Sequence, residues 1–451
     1  MPKMGMLMAT GVVLVAGGLG GYYIYADTVR DEVEAALAQY QSDMPDDQVF
    51  RYESVSVGLS GATLSDVRHT WDTPSGRLTL DAARVTIKHP NTDGDGRIIA
   101  LGSVSWNDAV LIDDNGTRVE AASGSAKDVA HPDTLKDGQL PISALAFSDF
   151  SLTEKGRSGR VTIERFESRG IADQVVGDAR MIGLKSDLYD PFSIGEVAAT
   201  GLDLTELAKL RPDPALPAIM RALSARSAGT VILNDLVFAT DSSDRPQRVT
   251  LDTLKLTHSA SEAGRIELSL DTRGFATTLP AGSDFADLGI DELAGDFTAV
   301  YAYDPGAGEL AVREVSLAID GLGKLSGTIA ISGVPDIRRV APRPEQAAMQ
   351  TALREASISW ADAGLMDKAF AKAAQEQGTT VTQLRAQTSR EVRAVVDPQT
   401  AQSLAAFIEH GGILEVTARP DRPAPFEGIA MAAMLQPKML REGLNLQVTA
   451  R

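Results

Sequence analysis

Carboxylates and guanidinium groups recur along this chain of 451 residues at near-constant spacing. Asp66, Asp108, Asp149 and Asp235 each sit inside an apolar stretch: Leu64-Ser-Asp66-Val67, Asn107-Asp108-Ala-Val110, Phe147-Ser-Asp149-Phe150 and Asn234-Asp235-Leu236. An arginine opens the stretch that follows each of them, at Arg77, Arg118, Arg160 and Arg248, after 11, 10, 11 and 13 positions. The Asp positions step by 42, 41 and then 86, the last being about two periods. A row of carboxylates could hold cations. The same residues also specify a turn-forming Asp, whose carboxylate bonds nearby backbone N–H groups, and an Arg at a strand edge. The residue types favour the second reading.

The other chemistry-bearing residues are dispersed. His69, His89, His131, His258 and His410 show no i, i+4 pairing and read as surface or strand-edge residues. Asn91-Thr-Asp93-Gly-Asp95-Gly96 matches the first half of a calcium-binding loop, but its twelfth position is Gly102 where a bidentate Glu is needed. A polar turn between strands accounts for it. There is no phosphate-binding loop, no HExxH and no nucleophile elbow. The absence of Cys excludes disulfides, thiol catalysis and thiolate metal sites. We therefore expect no enzyme, no cofactor and no metal site. A net charge of −18 argues against nucleic acid as a partner and against docking on anionic headgroups.

The elements that carry these residues are mostly strands. Val55, Val57 and Leu59 alternate with small residues, as do Leu78 and Leu80, then Val85 and Ile87. The repeating unit reads as a hairpin of strand, polar turn and strand, and a fixed period of this size signals a repeat architecture. His89-Pro90 and His131-Pro132 recur 42 apart. One copy is missing near Phe192, where the chain is strand-like but lacks the Asp/Arg pair. A helix over 204–226, broken by Pro212, Pro214 and Pro217, reads as an insertion or lid. Strands resume through 263–333, and 334–347 reads as a linker. Beyond a strand at 353–360, helices are predicted over 365–377 (closed by Gly378), over 380–396 and after Asp397-Pro398 up to Gly411-Gly412. A strand at 413–417, a short helix at 437–442 and a strand at 444–450 close the chain.

Compartment is set by 4–26, an uncharged apolar run long enough to span a bilayer as a helix. Leu7, Val12, Val13, Leu14, Val15, Leu19 and Ile24 form its apolar body, and Tyr22, Tyr23 and Tyr25 suit a membrane–water boundary. Lys3 precedes it and Asp27, Asp31, Glu32 and Glu34 follow, which orients the N-terminus inside. Signal cleavage would need a small-x-small site, and Ile24-Tyr25-Ala26 is a poor match. The run reads as an uncleaved anchor. A short helix over 27–48 leaves the membrane, with Val29, Val33, Leu37 and Tyr40 on one face.

The anchor followed by hairpins of the form seen from Val55 to Ile87 resembles the AsmA-like and YdgA-like envelope proteins of Gram-negative bacteria. The resemblance covers the anchor and about 50–335. It implies a single-pass inner-membrane protein with its bulk in the periplasm. It also implies a role in outer-membrane homeostasis, with phospholipid as ligand in an apolar trough. A period of two gives each strand one apolar face, which serves equally as a trough or as a packed core. The expected fold is mainly β with a helical C-terminal part: anchor (1–26), juxtamembrane helix (27–48), elongated antiparallel hairpin-repeat body (49–335) and mixed α/β region (336–451). The rival to lipid binding is a periplasmic scaffold for an unidentified protein partner.

Overall fold

The structure is a computed structural model. It describes residues 48–58, 61–73, 76–92, 98–130, 142–171, 175–188, 191–203, 228–240, 247–261, 263–280, 282–336, 350–435 and 437–451, with residues 34, 37, 38, 41, 42 and 44. The expected anchor, the 204–226 helix, most of the Asp-Gly-Asp-Gly loop, His131 and most of the 334–347 linker lie outside the described residues. Among the described residues no helix is long and apolar enough to cross a membrane. Contacts divide the chain into two units, 1–209 and 210–451. Both are built mainly of antiparallel strands, with helices confined to the C-terminal part among the longer elements.

In the first unit, β1 (Val49–Arg51) and β2 (Ser54–Gly58) both pair with β3 (Gly61–Thr73). The ladder then runs strictly in chain order through β4 (Gly76–Thr92), β5 (Ile98–Asp113), β6 (Arg118–Ala130), β7 (Ala144–Thr153), β8 (Arg160–Arg169), β9 (Val175–Ser186) and β10 (Phe192–Asp203). Sequential pairing follows from the hairpin repeat, because each short turn returns the chain to its own neighbour. One face carries the core, with Leu80, Val85 and Val104 fully buried. Of the expected juxtamembrane helix, residues 34, 37, 38, 41 and 42 are helical; Leu37 joins this core, and Gln41 donates from Nε2 to the Phe50 carbonyl at 3.0 Å.

The second unit repeats the scheme. β11 (Ala228–Thr240), β12 (Gln247–Ala260), β13 (Ile266–Thr278), β14 (Glu292–Asp304), β15 (Glu309–Ile319), β16 (Gly323–Ser332) and β17 (Ala352–Asp362) pair in order. β18 (Ile413–Ala418) extends the sheet from β17, and β20 (Gln447–Ala450) extends it from β18; β19 (Ala424–Pro425) also pairs with β17. Between β17 and β18 lie α1 (Leu365–Glu376), α2 (Val381–Val395) and α3 (Pro398–His410). Their ends follow the caps in the sequence. Gly378 takes a left-handed φ of 64° and closes α1, Thr380 forms a capping box with Gln383, and the Asp397 carboxylate accepts from the Gln399 and Thr400 N–H groups. The Ser403 hydroxyl of α3 donates to the Val448 carbonyl, joining the helices to β20.

Two C-terminal elements depart from expectation. α4 (Phe426–Leu435) is apolar except at Glu427 and Gly428, so it carries almost no helical period to read, yet Phe426 and Ile429 pack on a small core of Leu353, Ala418 and Leu444. The last strand begins at Gln447, not Leu444, because Leu444 ends α5 (Pro437–Leu444) with its side chain in that core. Asn445, left-handed at φ 48°, then redirects the chain. The terminus is tied into the sheet: Ile413 and Arg451 exchange both backbone hydrogen bonds.

Candidate functional site

The recurring aspartates lie in mid-strand, not in turns, and all four hold left-handed backbone: φ is 48° at Asp66, 50° at Asp108 and Asp149, and 55° at Asp235. Asp is one of the few side chains tolerated there, because its carboxylate can bond locally. Each falls at a skipped rung of its ladder. Asp66 lies between the pairs Ser65–Arg84 and Val67–Ala82, so it stands opposite Ala83. Asp108 stands opposite Ala83 on one side and Ala122 on the other, and Asp149 opposite Ala122 and Glu164. The line continues to Gly183, at φ 68°, opposite Gly195. One straight crossing therefore runs over β3 to β10, with a left-handed residue on every second strand.

A second crossing runs parallel to it, six positions further along β4, β6, β8 and β10 and six positions earlier on the intervening strands. His89 (φ 50°), Asp128 (φ 49°), Gly170 (φ 64°) and Gly201 (φ 65°) supply its left-handed residues, on the even strands. They alternate with Gly102, Ser143 and Gly177. The counterpart of His89 is thus Asp128, not His131 as the His-Pro recurrence implies. The copy missing from the sequence is β9–β10, where glycine fills both left-handed sites. Gly183 and Gly201 carry the signal, but the chain has 40 glycines, so these two do not stand out.

At each crossing the buried residues change phase. On β3 the core side chains are Ala62 and Leu64, then Val67, His69 and Trp71; on β5 they are Val104 and Trp106, then Ala109 and Leu111. The apolar face stays inward while the left-handed side chain goes outward, and Asp66, Asp108, Asp128, Asp149 and Asp235 are all exposed. Among the described residues no three carboxylate or imidazole groups converge as a metal site. Asp66 does meet Glu53: a hydrogen bond between the two carboxyls holds the Glu53 carboxyl above its ordinary range.

The repeated arginines have a structural use through their backbone. The Arg77 N–H donates to Asp114 Oδ2 at 2.6 Å, that of Arg160 to Asp187 Oδ1 at 2.5 Å and that of Arg248 to Thr278 Oγ1 at 3.2 Å. Each bond joins the start of one hairpin arm to the end of the strand beyond it or to the turn that follows. The guanidinium groups of Arg77 and Arg118 pair locally with Asp72 and Glu120 on the surface.

The two units differ in how their apolar faces are covered. Val104 and Ile358 have the same local sequence, Ser-Val-Ser and Ser-Ile-Ser, and the same inward register. Val104 is 0% exposed and Ile358 is 50% exposed. Ile358 stands in register with Gly327 on one side and Val416 on the other, so nothing bulky flanks it on β16. Along the same face Leu256, Leu270, Leu317, Leu325, Trp360 and Leu414 are only half-buried. A cavity of about 410 Å³ lies against the opposite, polar face of β12 and β13 and is lined by Thr253, Lys255, Thr257, Ser269, Asp271 and Arg273.

Two histidines sit on apolar faces, not at strand edges as expected. His69 stacks on Trp71 at 4.9 Å, and burial lowers its pKa to about 4. His258, half-buried in the second unit, is lowered for the same reason. His89 and His410 are exposed.

Residues 316–451 match the model of a family described as "Uncharacterized protein". The match begins within β15 and takes in β16 to β20 with α1 to α5. No curated protein matches the chain.

Proposed function

We propose that this is a non-enzymatic, single-pass protein of the Gram-negative inner membrane, anchored through 4–26, whose periplasmic β body binds or passes phospholipid. The observation that carries the reading is the uncovered apolar face around Ile358, set against the closed face of the first unit. In the first unit the alternating face is a filled core, so a trough has no room there. In the second unit Ile358, Val416, Leu325 and Leu317 offer a half-covered apolar surface to a chain of methylenes. Each methylene removed from water there is worth about 0.8 kcal/mol. The anchor and the hairpin layout supply the envelope setting, as read from the sequence.

The test is extraction of the purified protein for lipid mass spectrometry, alongside an Ile358→Lys variant. Near-stoichiometric phospholipid on the parent, reduced at least fivefold in the variant, is the expected result. A stable lipid-free parent would end the lipid reading. It would favour the scaffold alternative, for which Val395 (84% exposed) and Val396 at the end of α2 are the exposed apolar contacts on offer.

A further inference from the structure

We propose that the first crossing of the first unit is a flexure line, about which its sheet hinges as two stiff panels; this goes beyond the lipid reading and does not depend on it. Three observations carry it. First, no ladder rung forms at the first crossing in any strand pair from β3 to β10, so the regular alternation of the ladder is broken along one straight line. Second, the residues that face the left-handed positions are mostly small: Ala83, Ala122 and Gly195. Cross-strand side-chain pairs, which brace sheets elsewhere, are largely absent. The exception is Glu164, which stands opposite Asp149 and pairs with Lys185 on β9 at 3.4 Å. Third, the flanking panels are braced. Thr63–Thr86 and Thr70–Thr79 hydroxyl pairs stand on either side of the first line, and the core side chains nearest it, such as Leu64 and Val67, are almost fully buried.

The second unit supplies the contrast. Its single line, through Asp235, Asp252 and Gly274, stops at β14, where the ladder shifts by one residue and the Gly274 N–H donates to Asp296 Oδ1 at 2.9 Å. Further strands carry isolated bulges that do not form a rung-free line. A bulge bends a strand locally; an aligned row of skipped rungs gives a whole sheet one axis to turn about.

The chain has no Cys, so spin labels can be placed singly in the full-length protein. Labels at Arg118 and Lys127 span the first line on β6. Labels at Lys324 and Ser332 span β16, which no such line crosses. At about 3.3 Å per residue both pairs fall in the range of pulsed dipolar spectroscopy. The expected result is a distance distribution at least twofold broader for the first pair, and equal widths would overturn the proposal. Hydrogen exchange on the unlabelled protein gives a second reading free of labelling effects. Amides of Ser65, Val67, Asn107 and Ala109 should exchange at least tenfold faster than those of Val104 and Ser105, midway between the two crossings. Equal protection would mean rigid corners. Either result leaves the lipid measurement unaffected.

Discussion

Trp106 on β5 lies flat across Gly124, its registered partner on β6: a Cβ at Gly124 would stand 2.1 Å from the indole ring. Trp106 is 2% exposed, stands in register with fully buried Val85 and shares a buried cluster with Val104 and Ala126, so the ring has little room to retreat. Gly124→Ala should therefore destabilise the first unit by about 2–3 kcal/mol through overpacking. Denaturant unfolding followed by tryptophan fluorescence reads this directly. Since Gly124 holds ordinary backbone, a loss would report space alone.

Substitutions at Asp108 separate stereochemistry from carboxylate chemistry. If the left-handed backbone is what the position requires, Asp108→Gly and Asp108→Asn should each stay within about 0.5 kcal/mol of the parent. Asp108→Ala should cost about 1 kcal/mol and Asp108→Val more, as its branched Cβ meets the carbonyl. Loss of lipid retention in Asp108→Asn with the fold intact would instead make the carboxylate itself important.

His69 gives the first unit a pH response. The ring is held neutral in the fold, with a pKa near 4, whereas in the unfolded chain it takes up a proton near pH 6.5. The unfolded state is thus the better proton binder between those values. Stability from this group is complete above pH 6.5 and falls as pH drops toward 4, by on the order of 2–3 kcal/mol. His69→Phe keeps a ring against Trp71 and Phe50 and removes the titration. The difference between parent and variant melting temperatures should widen in the variant's favour as pH is lowered from 7 to 5.

Arg385 joins three helices. From α2 its guanidinium donates to the Ile408 carbonyl at 3.0 Å, near the end of α3, and to Asp367 on α1 at 2.6 Å, and it sits 4.9 Å from the Phe370 ring centre. The carbonyl end of a helix favours a cation. Arg385→Met should cost the second unit about 2–3 kcal/mol by leaving the Ile408 carbonyl unserved. Asp367→Asn should cost under about 1 kcal/mol, since Asp367 is 80% exposed and its pair is screened. Paired chemical denaturation of the two variants checks the ratio.

Local chemistry carried much of this fold. Thr380 with Gln383, Asp397 before Pro398 and Gly378 marked helix ends, because caps satisfy backbone groups within a few residues of themselves. The 41- to 42-residue recurrence of Asp66, Asp108 and Asp149 marked a hairpin repeat, because consecutive hairpins pair with their neighbours. The recurrence did not reveal that the aspartates form a line, or that Gly183 and Asp128 belong to the same pattern. Those equivalences are relations of register between strands, and residues of different type meet the one requirement of a left-handed φ. α4 was invisible for a simpler reason: with Glu427 its one charged residue, the helix has almost no polar face to set a period.

What the sequence by itself determined is which residues share a side within each unbroken run of a strand, since alternation is a property of the extended backbone. What only the tertiary structure decided is what lies over that side. Ser103-Val104-Ser105 and Ser357-Ile358-Ser359 have one pattern and opposite fates, closed at Val104 and half open at Ile358. Burial depends on atoms far away in the chain, and a period of two carries no information about them.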